Sequence, residues 1–234
     1  MRSNPQLIVF AAIQPILFVL LFVFVFGGAI SGSSADYVQF VIPGIVVQTV
    51  VFGTVLTGIG LNQDLGNGII DRFRSLPIAR SAVLTGRIMA DTIRIAASIL
   101  LIGVAGALLG FRLEAGPAAA LAAFALAVAF GAAFAWIAVT VGLTLRNPET
   151  VQSAGFLWMF PLTFASSIFA PAASMPGWLQ PIVTANPISV VTETLRALTV
   201  GGPATPLLLK SIAWILGLTA AFAPLAVHRY RRLS

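Results

Sequence analysis

The sequence predicts an all-α integral membrane protein with about six transmembrane helices. Hydrophobic residues make up 59% of its 234 residues and charged residues only 9%, whereas soluble domains carry about 25% charged residues. Several apolar runs reach the roughly 20 residues that a helix needs to cross a bilayer. These runs are continuous rather than alternating, which argues against the strands of a membrane β-barrel.

The runs are predicted to form one transmembrane domain that covers residues 1–234. In chain order the predicted spans are residues 7–30, 38–61, 88–110, 117–145, 151–170 and 206–227. The fourth is longer than a bilayer requires, so we expect it to tilt or to extend partly beyond the hydrocarbon. Pro161 and the prolines after it interrupt the fifth, so the number of spans could change by one.

The charges predict the orientation. The net charge is +6, but the arginines are spread over loops, so the charge does not indicate nucleic-acid binding. With a cytosolic N-terminus most arginines fall inside, as the positive-inside rule requires. Arg112, Arg196 and Lys210 fall outside, and Arg94 lies within the third span. We therefore expect a multi-pass protein of a bacterial plasma membrane with both termini in the cytosol.

The sequence lacks the groups that catalysis would need. It contains no cysteine, which excludes disulfides and thiolate metal sites. The single histidine, His228, lies beside arginines at the end of the last span, where an interfacial role is the common one. The single lysine, Lys210, is not part of a Gly-rich phosphate-binding loop. We expect neither enzymatic activity nor a cofactor or metal in this chain.

The loop at residues 64–87 is the part of the chain best suited to meet a soluble partner. Its apolar residues share one helical face: Ile69, Ile70, Phe73 and Leu76. Its charged residues lie on the other faces: Asp71, Arg72 and Arg74. Gly66 and Gly68 precede this segment and Pro77 follows it, which predicts a single short helix. The residues alone fit equally a helix lying in the lipid headgroups and one inserted into a groove of a soluble subunit.

Three charges at the start of the third span share one helical face. Arg87, Asp91 and Arg94 are spaced i, i+4 and i+7. The simplest interpretation is that Asp91 neutralises its two arginines, and we favour it for Arg87. Arg94 lies about 10 Å further along the helix. At that depth it could hold the helix bundle closed or meet an anionic headgroup.

The segment between the fifth and sixth spans, residues 171–205, contains too many prolines for a continuous helix. Because it stays apolar, we expect two short re-entrant half-helices at the outer leaflet. Asn186 and Pro187 are predicted to form the turn between them, with Ser189 or Thr192 capping the second half-helix.

Two further features lie in or near this outer segment. Glu193 and Arg196 are spaced to pair on the second half-helix, and composition favours an ordinary surface ion pair of little energetic worth. Trp178 and the later Trp214 are plausible anchors at the level of the lipid headgroups.

Four stretches, in the same order and spacing, resemble the type-2 ABC exporter permeases of the daunorubicin-resistance kind, a family of antibiotic and lipid exporters. They are NPQLIVFAAIQPILFVLLF, IIDRFRSLPIARSAVLTGRIMAD, MPGWLQPIVTANP and NPISVVTETLRAL. The resemblance covers nearly the whole chain. Such permeases usually begin with a longer amphipathic basic segment, whereas here only Met1 to Gln6 precede the first predicted span.

The resemblance implies the membrane half of an ATP-driven exporter. It implies a coupling helix, Gly66 through Pro77, that docks on a separate ABC ATPase subunit with Phe73 and Leu76 as its contacts. ATP and Mg would bind in that subunit. It further implies a second permease copy, identical or a close paralogue, membrane lipids as surroundings, and a drug, antibiotic or lipid as substrate. The outer segment would then be a structural lid over the substrate path.

Phenylalanines in the first and fifth spans could line an apolar path between two copies, and glycines in the second and third spans permit close helix packing. Two alternatives from other classes stay open. One is a membrane scaffold or immunity protein that moves no substrate. The other is a secondary carrier, although we find no internal repeat of the kind such carriers show.

Overall fold

The structure, a computed structural model, describes residues 17–26, 34–67 and 80–232. All regular structure within these residues is helical, which confirms the predicted all-α class. The long and short helices are α1 Ser34–Gly66, α2 Arg80–Leu108, α3 Pro117–Thr144, α4 Pro148–Phe164, α5 Gln180–Ala185, α6 Pro187–Thr199 and α7 Ala204–Arg232. A short π-helical segment, Phe22–Phe26, precedes them, and a 3₁₀ turn, Ala172–Ser174, lies between α4 and α5.

Four of the described helices, α1, α2, α3 and α7, are long and apolar enough to cross a membrane. Of the first predicted span only residues 17–26 are among those described. The fifth predicted span, residues 151–170, is not one continuous helix. Helix α4 has 17 residues and ends at Phe164, because the chain turns at residues 165–170 and an asparagine from the outer segment binds the carbonyls of its last turn.

The long helices run antiparallel between two ends of the bundle, which we call the basic end and the opposite end. The basic end carries Arg87, Arg146, Arg229, Arg231 and Arg232. There the side chain of Asn62 donates to the carbonyls of Gly142 and Leu145 at 3.0 and 2.7 Å and so caps α3 with α1.

At the opposite end the side chain of Gln39, on α1, holds the turn between α2 and α3. Its Nε2 donates to the carbonyl of Gly110 at 2.9 Å, and its Oε1 accepts from the backbone N–H of Arg112 at 3.3 Å. Gly110 has φ of 97°, a conformation that favours glycine and ends α2.

Helix α1 is the centre of the bundle. Most residues of its apolar part are buried, whereas few residues of α7 are buried. Valines and isoleucines of α1 pack with Phe130 and Phe134 of α3 and with Ile95 and Ile102 of α2 in one core. The core therefore forms around α1, and α7 lies at the periphery.

Helices α1 and α3 cross with their backbones in contact. A Cβ atom added at Gly58 would lie 2.6 Å from the carbonyl oxygen of Ala138, and one added at Gly142 would lie 2.5 Å from the carbonyl oxygen of Gly58. Both neighbours are backbone atoms, which cannot rotate away. Gly58, one of the glycines that the sequence marks as packing residues, and Gly142, which it does not, thus set the distance between these two helices.

We expect Gly58→Ala to lower the free energy of unfolding by about 1–3 kcal/mol, because the new methyl group forces α1 and α3 apart. Gly103→Ala on α2 is the matched control, since a Cβ there meets nothing within 4 Å. Thermal unfolding of both variants in the same detergent measures the difference. Equal midpoints for the two variants would show that the crossing tolerates a side chain.

Candidate functional site

A chain of charges links α1 to α2 near the basic end. Arg87 Nε lies 3.4 Å from Asp91 Oδ2, and Arg94 Nη2 lies 3.1 Å from Asp91 Oδ1. Arg87 also pairs with Asp64 of α1. The structure therefore brings together the three residues that sequence spacing placed on one face, and it adds Asp64 as a fourth.

A glycine gives Arg87 its route to Asp64. The guanidinium of Arg87 lies so close to Gly60 that a side chain at this position would overlap Arg87 Nη2. Gly60 and Asp64 are spaced i, i+4 and lie one above the other on α1. The ion pair between Arg87 and Asp64 therefore depends on the absence of a side chain at Gly60. Buried Asp91, shared by two arginines, joins this pair to Arg94.

Of these four charged residues, Arg94 is the one whose side chain reaches the interior of the helix bundle. Its Nη2 donates to the carbonyl oxygen of Gly53 at 3.2 Å, which fixes the guanidinium against α1. Its side chain keeps 40% exposure and lines a cavity between α1, α2 and α4.

The cavity has a volume of about 410 Å³, within the range of about 300–1,000 Å³ typical of small-molecule sites. Its walls are mostly apolar: Phe18, Val50, Phe52, Gly53, Val55, Leu56, Ile59, Ile95, Phe156, Phe160 and Phe164. Its polar lining residues are Gln48, Thr49, Arg94, Ser98 and Gln152. A mostly apolar cavity with a few polar groups is the usual form of a binding site for an amphipathic molecule.

Aromatic rings continue from this cavity toward the opposite end. The ring centroids of Phe156 and Phe160 are 5.7 Å apart, those of Phe160 and Phe164 5.9 Å, and those of Phe164 and Phe169 5.6 Å. Phe169 stacks on Phe22 of the π-helical segment at 4.4 Å. Because Phe160 and Phe164 are also exposed on the surface of the bundle, this row forms an open apolar track, not a buried core.

Asn186 joins the outer segment to the end of α4. Its Nδ2 donates to the carbonyls of Leu162 and Ala165, both at 2.7 Å, and its Oδ1 accepts from the backbone N–H of Ile188 at 2.9 Å. One side chain therefore caps the C-terminus of α4 and the N-terminus of α6, with Pro187 as the first residue of α6.

The expectation that Ser189 or Thr192 caps this helix is wrong. Ser189 Oγ accepts from the backbone N–H of Ser167 at 3.0 Å, across to the turn after α4. Within the part of the chain that the structure describes, Thr192 Oγ1 has no hydrogen-bond partner. Asn186 takes the cap because it directly precedes the first helical residue, whereas both hydroxyls lie inside the helix.

Arg196 is a buried anchor and not a surface ion pair, so the interpretation that composition favoured is wrong. The predicted pair with Glu193 is present at 2.8 Å. In addition Arg196 Nε donates to the carbonyl of Phe40 at 2.9 Å, and Nη2 donates to those of Ser167 and Ile168 at 2.8 and 2.9 Å. The residue is only 9% exposed.

The charge of Arg196 is held by its surroundings. Its guanidinium carbon lies 3.6 Å from the centroid of the Phe40 ring, a cation–π contact. Burial lowers the pKa of Arg196 to about 10, and the Glu193 carboxylate opposes that shift. The side chain is therefore a cation at neutral pH, and it ties α6 to α1 and to the turn after α4.

The other predicted site residues fall in three places. Gly66 is the last residue of α1, at the basic end. Trp178 is exposed in the turn before α5, and Trp214 is partly exposed on α7. The remaining coupling-helix residues lie outside the described residues: Ile69, Asp71, Arg72, Phe73, Arg74, Leu76 and Pro77.

Sequence reasoning missed Asp64 and Gln48. Asp64 has a weak signal, since it is an acidic residue four positions after a glycine near the end of an apolar run. Gln48 has the signal of a carboxamide inside an apolar span, which needs a partner or a cavity. The carbonyls that bind Arg196 have no sequence signal, because every residue carries one.

Comparison with known proteins agrees with this architecture. The family model described as ABC-2 type transporter matches residues 1–200. The chain belongs to this family of membrane permeases of ABC transporters. The predicted resemblance is thereby confirmed.

Three relatives show the range of similarity. Daunorubicin resistance ABC transporter permease protein DrrB1 of Streptomyces coeruleorubidus is 38% identical over 233 residues, 98% of this chain and 81% of the relative. Probable doxorubicin resistance ABC transporter permease protein DrrC of Mycobacterium tuberculosis is 29% identical over 228 residues, 96% and 81% of the two chains. Putative transport permease ycf38 of Cyanophora paradoxa is 26% identical over 202 residues, 85% and 69%.

We expect Asn186→Asp to lower the free energy of unfolding by about 2–3 kcal/mol. Aspartate is as good an N-cap as asparagine, but it cannot donate to the carbonyls of Leu162 and Ala165. Asn147→Asp is the matched control, because Asn147 precedes α4 and its side chain makes no capping hydrogen bond. Thermal unfolding distinguishes the two. If both variants unfold like the wild type, the double cap contributes nothing.

We expect Arg196→Lys to destabilise the protein by at least about 2 kcal/mol. The single nitrogen of a lysine cannot occupy the positions of both Nε and Nη2, which together bind the three carbonyls. Glu193→Gln is expected to cost under about 1 kcal/mol, since Glu193 is 40% exposed. Limited proteolysis of the outer segment and thermal unfolding provide the measurement. A larger effect for Glu193→Gln would make the ion pair, not the carbonyl contacts, the source of stability.

Proposed function

We propose that this permease forms the membrane half of an ATP-driven exporter and moves a hydrophobic or amphipathic substrate, such as a drug, antibiotic or lipid, out of the cell. The observation that carries the proposal is the cavity between α1, α2 and α4 with its aromatic track toward the opposite end. Apolar walls with few polar groups accept many shapes of an amphipathic molecule. The drug names of the two relatives in Streptomyces and Mycobacterium support the same class of substrate.

The basic end faces the cytosol in this proposal. Basic side chains gather at that end of the bundle, and the positive-inside rule assigns such an end to the cytoplasmic side. Both termini then lie in the cytosol, and the protein resides in a bacterial plasma membrane. The aromatic track leads from the cavity toward the outer side.

The loop between α1 and α2 is the proposed contact with the ATPase. It leaves α1 at Gly66 and returns at Arg80, both at the basic end. The ion pair of Asp64 with Arg87 joins the two helices that carry the loop. Asp91 joins Arg87 to Arg94, which lies at the cavity wall. A displacement of the loop by the ATPase would therefore be transmitted through these ion pairs to the substrate site.

Two further parts complete the proposed exporter. A second permease copy, identical or a close paralogue, pairs with this one through an exposed apolar face that includes Phe160 and Phe164. The outer segment, held by Asn186 and Arg196, forms a structural lid over the outer end of the track. The chain supplies the path and the transmission, while ATP and Mg bind in the partner.

The test is co-purification of the chain in lipid nanodiscs with its cognate ABC ATPase subunit. We expect the wild type to retain the ATPase and stimulate ATP hydrolysis, and Phe73→Asp to retain at least about tenfold less, because a docking contact becomes charged. Leu113→Asp is the matched control. It makes the same kind of change at an exposed position of the opposite end and should retain the ATPase fully.

Two outcomes would contradict the proposal. A wild-type chain that retains no ATPase would favour a scaffold or a secondary carrier over an exporter. Equal retention by Phe73→Asp and Leu113→Asp would leave the ATPase partnership intact but remove Phe73 as the docking contact.

A further inference from the structure

We propose that the cavity binds amphiphiles that carry an acidic group, a carboxylate or phosphate, and that Arg94 and Gln48 hold this group. The inference deepens the proposed function, because it gives the substrate a charge, and it rests on that function only in treating the ligand as cargo.

The first support is the sign of the charge in the cavity. Arg94 is the one charged residue among the described residues that line it. The acidic residues of the charge chain, Asp64 and Asp91, do not line the cavity. Asp91 lies behind Arg94 at 6% exposure and is shared with Arg87. A bound molecule therefore meets the N–H donors of Arg94, while the carboxylate of Asp91 that balances its charge lies behind it. An acidic group is the favourable partner for those donors.

The second support is the unused hydrogen-bonding capacity of Arg94. Its contacts to Asp91 and to the carbonyl of Gly53 both use Nη2. A guanidinium carries five N–H donors in a planar fork, so Nε and Nη1 remain for a ligand. Each of these two nitrogens can donate a charge-assisted hydrogen bond to an oxygen of a carboxylate or phosphate. A bidentate contact is not available, because both bidentate edges of the guanidinium include the occupied Nη2.

The third support is Gln48 on α1. It is 8% exposed and lines the cavity, yet within the described residues its side-chain amide makes no hydrogen bond. Its N–H₂ group is a donor that a ligand oxygen can satisfy, and it lies on the same helix as Gly53, the contact of Arg94.

The apolar part of the ligand would pack on the phenylalanines of the cavity. Phe52 lies 5.3 Å from Phe160 and 6.0 Å from Phe156, centroid to centroid. These rings line the same cavity as Arg94 and continue along α4 as the aromatic track. The acidic group therefore lies near Arg94 and Gln48, and the apolar body lies on the phenylalanines.

The test compares two fluorescent probes that differ only in the head group, dansyl-undecanoic acid and dansyl-undecylamine. They are titrated against the purified chain in phosphatidylcholine nanodiscs, with empty nanodiscs as the background. We expect the wild type to bind the acid at least about tenfold more tightly than the amine, the gain expected from a charge-assisted hydrogen bond.

The variants assign that preference to residues. Arg94→Gln should weaken the acid by about tenfold and leave the amine unchanged. Arg94→Lys should stay within about threefold of the wild type, because a single charge-assisted hydrogen bond needs a cation and not the guanidinium fork. Arg112→Gln removes an exposed arginine outside the cavity and should change neither probe. Gln48→Leu leaves every ion pair intact and should weaken the acid alone, so the test does not depend on Arg94→Gln folding normally.

The source of the acidic group is identified by competition. Displacement of the probe by decanoic acid but not by phosphatidylglycerol in the nanodisc indicates a free amphiphile, and displacement by phosphatidylglycerol indicates a lipid headgroup. Equal binding of acid and amine by the wild type would overturn the inference, as would equal weakening of both probes in Arg94→Gln. ATPase retention, measured on the same preparations, separates this failure from a failure of the proposed exporter function.

Discussion

A buried backbone carbonyl needs a hydrogen-bond donor, and the segment after α4 is built around that constraint. Six residues of turn follow α4 before the next proline, and their carbonyls need donors from elsewhere in the chain. Asn186 supplies donors at the end of α4, and Arg196 supplies them to Ser167, Ile168 and Phe40. Tyr37 of α1 adds a third donor, to the carbonyl of Phe169 at 3.1 Å. Side chains from α1, α6 and the residue before α6 therefore satisfy a buried non-helical segment.

The same helix, α1, connects this outer anchor to the charges at the basic end. Its carbonyl at Phe40 binds Arg196, its carbonyl at Gly53 binds Arg94, and its Asp64 pairs with Arg87. Between these points Gly58 brings it into backbone contact with α3. One central helix therefore makes polar contacts with the other elements near both of its ends and between them.

Local patterns in the sequence predicted the helical membrane class, the charged face at Arg87, Asp91 and Arg94, and the turn at Asn186, because apolar run length and i, i+4 spacing determine them. The patterns did not reveal that Arg196 is buried, because its partners are backbone carbonyls up to 156 residues away. The length of α4 was missed for the same reason, since the side chain that caps it lies 24 residues beyond its Leu162 contact.

The separation of Arg196 from its partners also has a consequence for biogenesis. The carbonyl of Phe40 is synthesised early, whereas Arg196 follows 156 residues later. Until α6 has been synthesised, the carbonyls of Ser167 and Ile168 lack the donors that Arg196 supplies. The turn after α4 can therefore reach its final hydrogen bonding only when most of the chain has been made.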